Sequence, residues 1–590
     1  MYLKNFFISL LGALAAFWIS IMLVFIMGVI FLAGSIVSAI SGIDSNVGLS
    51  EKNVMIIPLD GAIEESRTTV EFAALLNNQD RPRALDDILR AIAAAKEDDK
   101  IKGIYLKCYS ASAGIATRKA IRDALLDFQK SGKWVVAYSD SYSQGDYYVA
   151  SMADNLFLNP VGMVDIHGLG SMVPFFKGLF DKLGVEMQVV KVGTYKSAVE
   201  PYILTSMSEP SREQTQVFLD NIWSVLTNEI HSSRDIPVET LNQMADSLVM
   251  FSASGKAYVE DKLVDDLKYE READNFVKSL LEQESDDDLQ SVYYDRYLQV
   301  AKVPHEKSNS NKIAVYYAFG DIVDYGKVGI SAERMVPDIV ELAEDEDIQA
   351  MVLRVNSGGG SAFASEQIWE ALKYFKSQGK KLYVSMGDYA ASGGYYISCG
   401  ADKIYAEPVT LTGSIGIFGM MPCVKGLTEN IGVNFSTVST NANSIFPTIT
   451  EPMTPFQYNS MQKMVNNGYE LFTKRCADGR HIPQDSIKKI GEGRVWDGRM
   501  ARKIGLVDQL GGLDDAVSAL ASAMNYSDYE VVSYPNNNPS FWDMVADFDS
   551  EMKARALREE LGAIYPVYLE YKSMVNMTPV QARVPFMMVQ

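Results

Sequence analysis

The sequence predicts an α/β protein made of two homologous halves behind one membrane anchor. Three observations carry that expectation. Stretches of the first half recur in the second in the same order. Within each half, short apolar runs alternate with amphipathic helical patterns, the signature of strands packed under helices. And no charged residue falls between Lys4 and Asp44.

The anchor is the simplest of the three. The apolar stretch at residues 6–40 exceeds the roughly 20 residues that suffice to cross a bilayer. A cleaved signal peptide has an apolar region of only about 7–15 residues. An uncleaved anchor is therefore expected within residues 1–45. Lys4 precedes it, and Asp44 and Glu51 follow, which favours the N-terminus inside and the bulk of the chain outside. No later segment is comparably long and apolar, so a single span is expected.

Composition narrows the class further. The chain has 590 residues, 47% of them hydrophobic, which is globular and large enough for several domains. A net charge of -21 argues against nucleic acid as a partner and reads as a solvated acidic surface. Cys108, Cys399, Cys423 and Cys476 lack metal-ligand spacing, and Cys108 and Cys399 sit in apolar patterns as small core residues. His167, His231, His305 and His481 are too scattered for a zinc site.

The repeat is dense. Residues 101–107 (IKGIYLK) lie over 348–354 (IQAMVLR), and 128–133 (FQKSGK) over 375–380 (FKSQGK). Gly145-Asp146-Tyr147-Tyr148 lies over Gly393-Gly394-Tyr395-Tyr396, and residues 153–157 over 401–405. The domains expected from it are 46–284 and 312–530, with an acidic and polar linker at 285–311. Beyond them lies an extension, 531–590, with an Asn/Pro-rich turn at 535–539 and a helix expected at 542–561.

Differences between the halves point to chemistry. Ser392 lies between small residues where an apolar strand turns into a helix, and Gly393 and Gly394 let backbone N–H groups approach a reacting carbonyl. An ordinary helix cap is the plainer reading of that serine. Gly358-Gly359-Gly360, after the strand pattern at 351–355, forms a second loop rich in N–H groups. It lacks the Gly-Lys-Ser/Thr ending of a nucleotide loop. In the first half Gln144 stands in place of Ser392, and Ala111-Ser112-Ala113 in place of the glycines. Conversely Lys196 aligns with Ser444, so the first half keeps a lysine that the second lacks. A serine needs a base to become a nucleophile. A lysine serves as that base only if burial drives off its charge. Two halves that each retain one partner imply one composite serine–lysine site per chain.

These residues carry a resemblance. Residues 192–201 (VGTYKSAVEP), 354–361 (RVNSGGGS), 390–396 (AASGGYY) and 411–416 (LTGSIG) resemble the motifs of the long, two-domain form of the signal peptide peptidase A (protease IV) family. The likeness spans nearly the whole chain. It implies tandem domains of the Clp protease/crotonase-like fold, built from ββα units, and a serine–lysine peptidase. It implies Ser392 as nucleophile, Lys196 as general base, Ser414 as the hydroxyl that holds the amine, and Gly393 with Gly359 as the oxyanion hole. It implies no cofactor and no metal. It further implies a homotetramer on the periplasmic face of a bacterial inner membrane, degrading signal peptide remnants and other apolar peptides. Gly358 stands where relatives often have proline, which loosens the loop without removing its N–H groups.

Two other functions fit parts of the chain. A crotonase-like acyl-thioester enzyme would use the glycine loop but leaves the anchor and the serine–lysine pair unexplained. A non-catalytic membrane scaffold would have no reason to retain both residues. His167, near the loop that aligns with 412–414, is a candidate for a Ser/His/Asp triad, but reads as structural.

Overall fold

The computed structural model describes residues 48–66, 82–305, 311–326, 329–535, 560–562, 580–584 and 588–589, together with Met22 and Leu557. The expected anchor lies outside the described residues, as does almost all of the helix expected at 542–561. Among the described residues, no helix is long and apolar enough to cross a membrane.

Each half is built on a parallel sheet. In the first, the strand order is Ser291–Tyr293, Asn53–Leu59, Ile101–Cys108, Trp134–Ser139, Asn155–Leu158, Asp266–Leu267. In the second, it is Glu530–Tyr534, Lys312–Phe319, Ile348–Ser357, Lys381–Ala391, Lys403–Ala406, Gln509–Leu510. The two orders match strand for strand. Helices cover both faces, so central strands are apolar throughout instead of alternating. All seven residues of Asn53–Leu59 are buried. The crossover helices Ile115–Gln129 and Ala362–Ser377 pack through buried Ile121, Leu125 and Phe128 in one half and Ile368, Leu372 and Phe375 in the other.

The long helices also repeat. Glu209–Arg234 and Pro455–Arg480 each run 26 residues. Ser208 and Thr454 cap them with their side chains, and a proline occupies the first turn of each, where a missing N–H costs nothing. Both end at a left-handed residue, Asp235 and His481.

The first sheet reaches into the stretch read as a linker. Ser291–Tyr293 pairs in parallel with Asn53–Leu59, and the short helix Tyr294–Tyr297 buries both of its tyrosines. Its counterpart Glu530–Tyr534 likewise runs past residue 530. Both strands are edge strands whose partners lie over 200 residues away, which no local pattern reveals.

A third sheet joins the halves. Its order is Ile330–Ser331, Ile322–Val323, Gly359–Ser361, Val580–Arg583, Phe418–Cys423, Glu186–Lys191. The last of these comes from the first half and runs antiparallel to Phe418–Cys423 over six residue pairs.

Buried charge ties the same seam. The Arg354 guanidinium donates to both carboxylate oxygens of Glu65, at 2.8 and 3.2 Å, and to Ser385 Oγ and Met386 O. Asp388, four residues before Ser392, accepts hydrogen bonds from Ala116 N, Thr117 N and Thr117 Oγ1. It thereby satisfies the N-terminus of a helix in the other half. Removing one partner of a buried pair strands the other charge, at about 3–5 kcal/mol. Glu65→Ala should therefore lower unfolding stability by about that amount, read as a fall in the urea midpoint.

Candidate active site

Ser392 is placed by a strand that changes neighbours. Along Lys381–Ala391, Tyr383 to Met386 pair with Lys403–Ala406, and Tyr389 to Ala391 pair with Leu411–Gly413. The strand therefore extends beyond the run at 381–386 that hydrophobicity marks, directly to Ser392. Ser392 N then donates to Gly413 O at 2.8 Å, and the helix Gly393–Ser398 begins at once.

The turn is strained. Ser392 has φ 56° and ψ −112°, a region that non-glycine residues rarely occupy and that costs about 1–3 kcal/mol. Its side chain makes no capping bond, so it is not an ordinary N-cap. The flanking glycines permit close packing. A Cβ on Gly393 would meet Ser365 Oγ at 2.7 Å, and one on Gly394 would meet Ser357 O at 2.6 Å.

Lys196 arrives from the first half. After Glu186–Lys191, Val192 N donates to Ile417 O, and Tyr195 N donates to Glu492 O. Gly193, at φ +108°, and Gly493, at φ +77°, let the two backbones come together there: a Cβ on Gly493 would strike Lys196 itself. The lysine is 1% exposed and Ser392 is fully buried.

The amine meets three oxygens. Lys196 Nζ lies 2.8 Å from Ser392 Oγ, 3.1 Å from Ser414 Oγ and 3.2 Å from Ser414 O. Burial drives its pKa well below the ordinary value of 10.5, with no carboxylate to oppose it. A neutral amine has two N–H donors and one lone pair; an ammonium has three donors and no acceptor. All three oxygens can accept from the amine; in the neutral form that burial favours, two N–H donors remain for Ser414 and the lone pair is left for the Ser392 O–H. Ser414 is held by its own N–H to Arg494 O, at 2.7 Å. Its φ of 50° turns it back toward the amine.

The glycine loop differs from expectation. Gly359–Ser361 is a strand, not a free loop, pairing with Ile322–Val323 and with Val580–Arg583. The Gly359 N–H donates to Ser357 Oγ at 3.1 Å, so it is engaged. Gly359 and Gly393 nevertheless adjoin: a Cβ on Gly359 would come 2.8 Å from Gly393 N. As the first residue of its helix, Gly393 has no intrahelical acceptor for its N–H.

In the first half, the equivalent position is sealed. Gln144 Oε1 accepts from His167 N and Gly168 N, and its amide donates to Gly168 O. The His167 ring pairs with Asp165 at 2.8 Å, so its partner is a neighbouring carboxylate in its own half. Sequence reasoning missed Ser357, which accepts from Gly359 N, and the cluster in which the Asn356 amide donates to Glu65 at 2.9 Å and to Asp388 at 3.3 Å. It also missed the strand Val580–Arg583, although Val580, Ala582 and Val584 alternate with Gln581 and Arg583 as a strand should.

The chain's likeness to known proteins agrees with this chemistry. A model of Peptidase family S49 matches residues 127–284 and again 374–527, one segment in each half. A Clp protease model matches residues 324–411. Protease 4 of Haemophilus influenzae is 34% identical over 544 residues, covering 88% of each chain. Protease 4 of Salmonella typhi is 35% identical over 549 residues, 90% of this chain and 87% of that one. The chloroplastic serine protease SPPA of Arabidopsis thaliana is 31% identical over 454 residues, 75% of this chain and 66% of its own. The fold is Clp-protease-like with tandem domains, and the activity is that of a serine peptidase. More narrowly, the chain belongs to peptidase family S49. The acyl-thioester and scaffold alternatives give way to this assignment.

Proposed function

We propose that the chain hydrolyses apolar peptides with Ser392 as nucleophile and Lys196 as general base. The observation that carries this is the buried amine 2.8 Å from Ser392 Oγ, with only hydroxyl and carbonyl oxygens as partners. The neutral amine takes the hydroxyl proton as Ser392 Oγ attacks the peptide carbonyl. The Gly393 N–H, with the backbone at Gly359, faces the developing oxyanion; one such donor is worth about 10²–10³ in rate. The ammonium then gives its proton to the departing amine. Water resolves the acyl-enzyme by the same route in reverse. The desolvation that lowers the lysine's proton affinity is what lets it act as a base near neutral pH.

In this reading the apolar stretch at residues 6–40 crosses a bacterial inner membrane once. The bulk of the chain sits on the periplasmic side as a homotetramer. Signal peptide remnants in the same bilayer are then the nearest substrates. The test is hydrolysis of a fluorogenic apolar peptide by the full chain in detergent. Ser414 acts here as a positioning residue. Losing a buried hydrogen bond costs about 1–3 kcal/mol, so Ser414→Ala should lower kcat about 10- to 100-fold with KM little changed. Full activity in that variant would remove Ser414 from the mechanism. No hydrolysis of any apolar peptide by the wild type would overturn the reading.

A further inference from the structure

Gln214 sits where the lysine-bearing turn of the first half meets the second half. It belongs to the helix Glu209–Arg234 and is 3% exposed. Its Nε2 donates to Tyr195 O at 3.1 Å and to Ser197 Oγ at 3.2 Å, the residues on either side of Lys196. Its Oε1 accepts from Val495 N, in the second half, at 3.1 Å. These partners fix which way round the amide sits. Reversed, it would set N–H groups against the Val495 N–H and an oxygen against the Tyr195 carbonyl.

The far end of that link reaches the rest of the site. Val495 lies opposite Gly413 in an antiparallel pair. Among the described residues its strand, Val495–Asp497, is an edge strand, so a side chain must satisfy the outward N–H. Gly413 O accepts from Ser392 N, and Ser414 N donates to Arg494 O. One amide therefore ties both flanks of the lysine to the strands that hold Ser392 and Ser414.

The duplication supplies a comparison. The helix Pro455–Arg480 repeats Glu209–Arg234, capped by Thr454 as the other is by Ser208. Counted from those caps, Ser460 takes the place of Gln214. Ser460 is exposed, and its Oγ donates to Phe456 O in its own helix. The half without the lysine has no amide at that place.

We infer that Gln214 is a positioning residue for the serine–lysine reaction. By holding residues 195 and 197 to Val495, it sets where the Lys196 amine stands between Ser392 and Ser414, and keeps water from it. The inference rests on the peptidase reading of Ser392 and Lys196. A displacement of about 1 Å can cost about 100-fold in rate. A loosened turn also hydrates the amine, and hydration restores its affinity for a proton.

Hydrolysis of a fluorogenic apolar peptide by the full chain, followed across pH, tests this, with far-UV circular dichroism to check folding. Gln214→Leu removes all three hydrogen bonds. Its kcat should fall about 10- to 100-fold with KM little changed. The acid limb of its kcat/KM should move up by about one pH unit. Gln214→Glu has nearly the wild-type shape and keeps an acceptor for Val495 N. Ionised, it has no hydrogen for Tyr195 O, and its charge favours the ammonium, so its acid limb should move the same way. If Gln214→Leu does not fold, Gln214→Glu alone decides. Folded variants that match the wild type in kcat and acid limb overturn the inference and leave the peptidase reading standing. A fall in kcat with the acid limb unmoved makes Gln214 a structural tie only and also overturns it. A wild type that hydrolyses no apolar peptide, or a folded Ser392→Ala chain with full activity, overturns both.

Discussion

Ser392→Ala should abolish peptide hydrolysis, with kcat falling about 10⁴- to 10⁶-fold, as for other enzymes stripped of a serine nucleophile. The loss should be chemical, not structural. The hydroxyl makes no capping bond, and alanine occupies no more space. Far-UV circular dichroism and the thermal midpoint should therefore stay close to the wild type. A serine-directed acylating reagent should label the wild type at Ser392 and leave the variant unlabelled. Retention of near-normal activity by a folded Ser392→Ala chain would end the assignment of the nucleophile.

Lys196→Met should be as inactive, yet more stable than the wild type at neutral pH. The buried amine titrates well below 10.5 in the folded chain because burial disfavours its charge. In the unfolded chain it titrates near the reference value of about 10.4. Between those two values the unfolded state holds more protons, so stability rises with pH. Below the folded value the penalty is complete; above about pH 10.4 it is gone. Lys196→Met lacks the penalty. The variant should be more stable than wild type at pH 7, and its advantage should shrink by about 1.4 kcal/mol per pH unit as the unfolded-state value is approached. Denaturant titrations at several pH values read this directly. Wild-type kcat/KM should rise with pH along an acid limb that reports the same amine. An advantage for methionine that grew with pH would mean that the lysine is charged in the fold.

Much of the architecture was legible because duplication left two copies to compare. Each central strand is an apolar run that recurs at the matching place in the other half, as at 101–107 and 348–354. The proximity of Lys196 and Ser392 was legible for the same reason: each half keeps one member of a pair that is useless alone. What escaped were pairings between distant segments. Gly358-Gly359-Gly360 looks like a loop because its strand partner, Val580–Arg583, lies over 200 residues downstream. Ser291–Tyr293 sits in acidic and polar surroundings that mask an edge strand. The Glu65–Arg354 pair joins residues 289 positions apart, and charged residues of that kind read locally as surface.

The third sheet has a consequence for synthesis. Residue 196 supplies the amine and residue 392 the hydroxyl, and the segment that brings in the amine is zipped against 418–423. A nascent chain on the ribosome therefore has no cutting centre until more than two thirds of it has been made. On the proposed serine–lysine mechanism, nothing that emerges earlier can be cut by this chain through that whole interval.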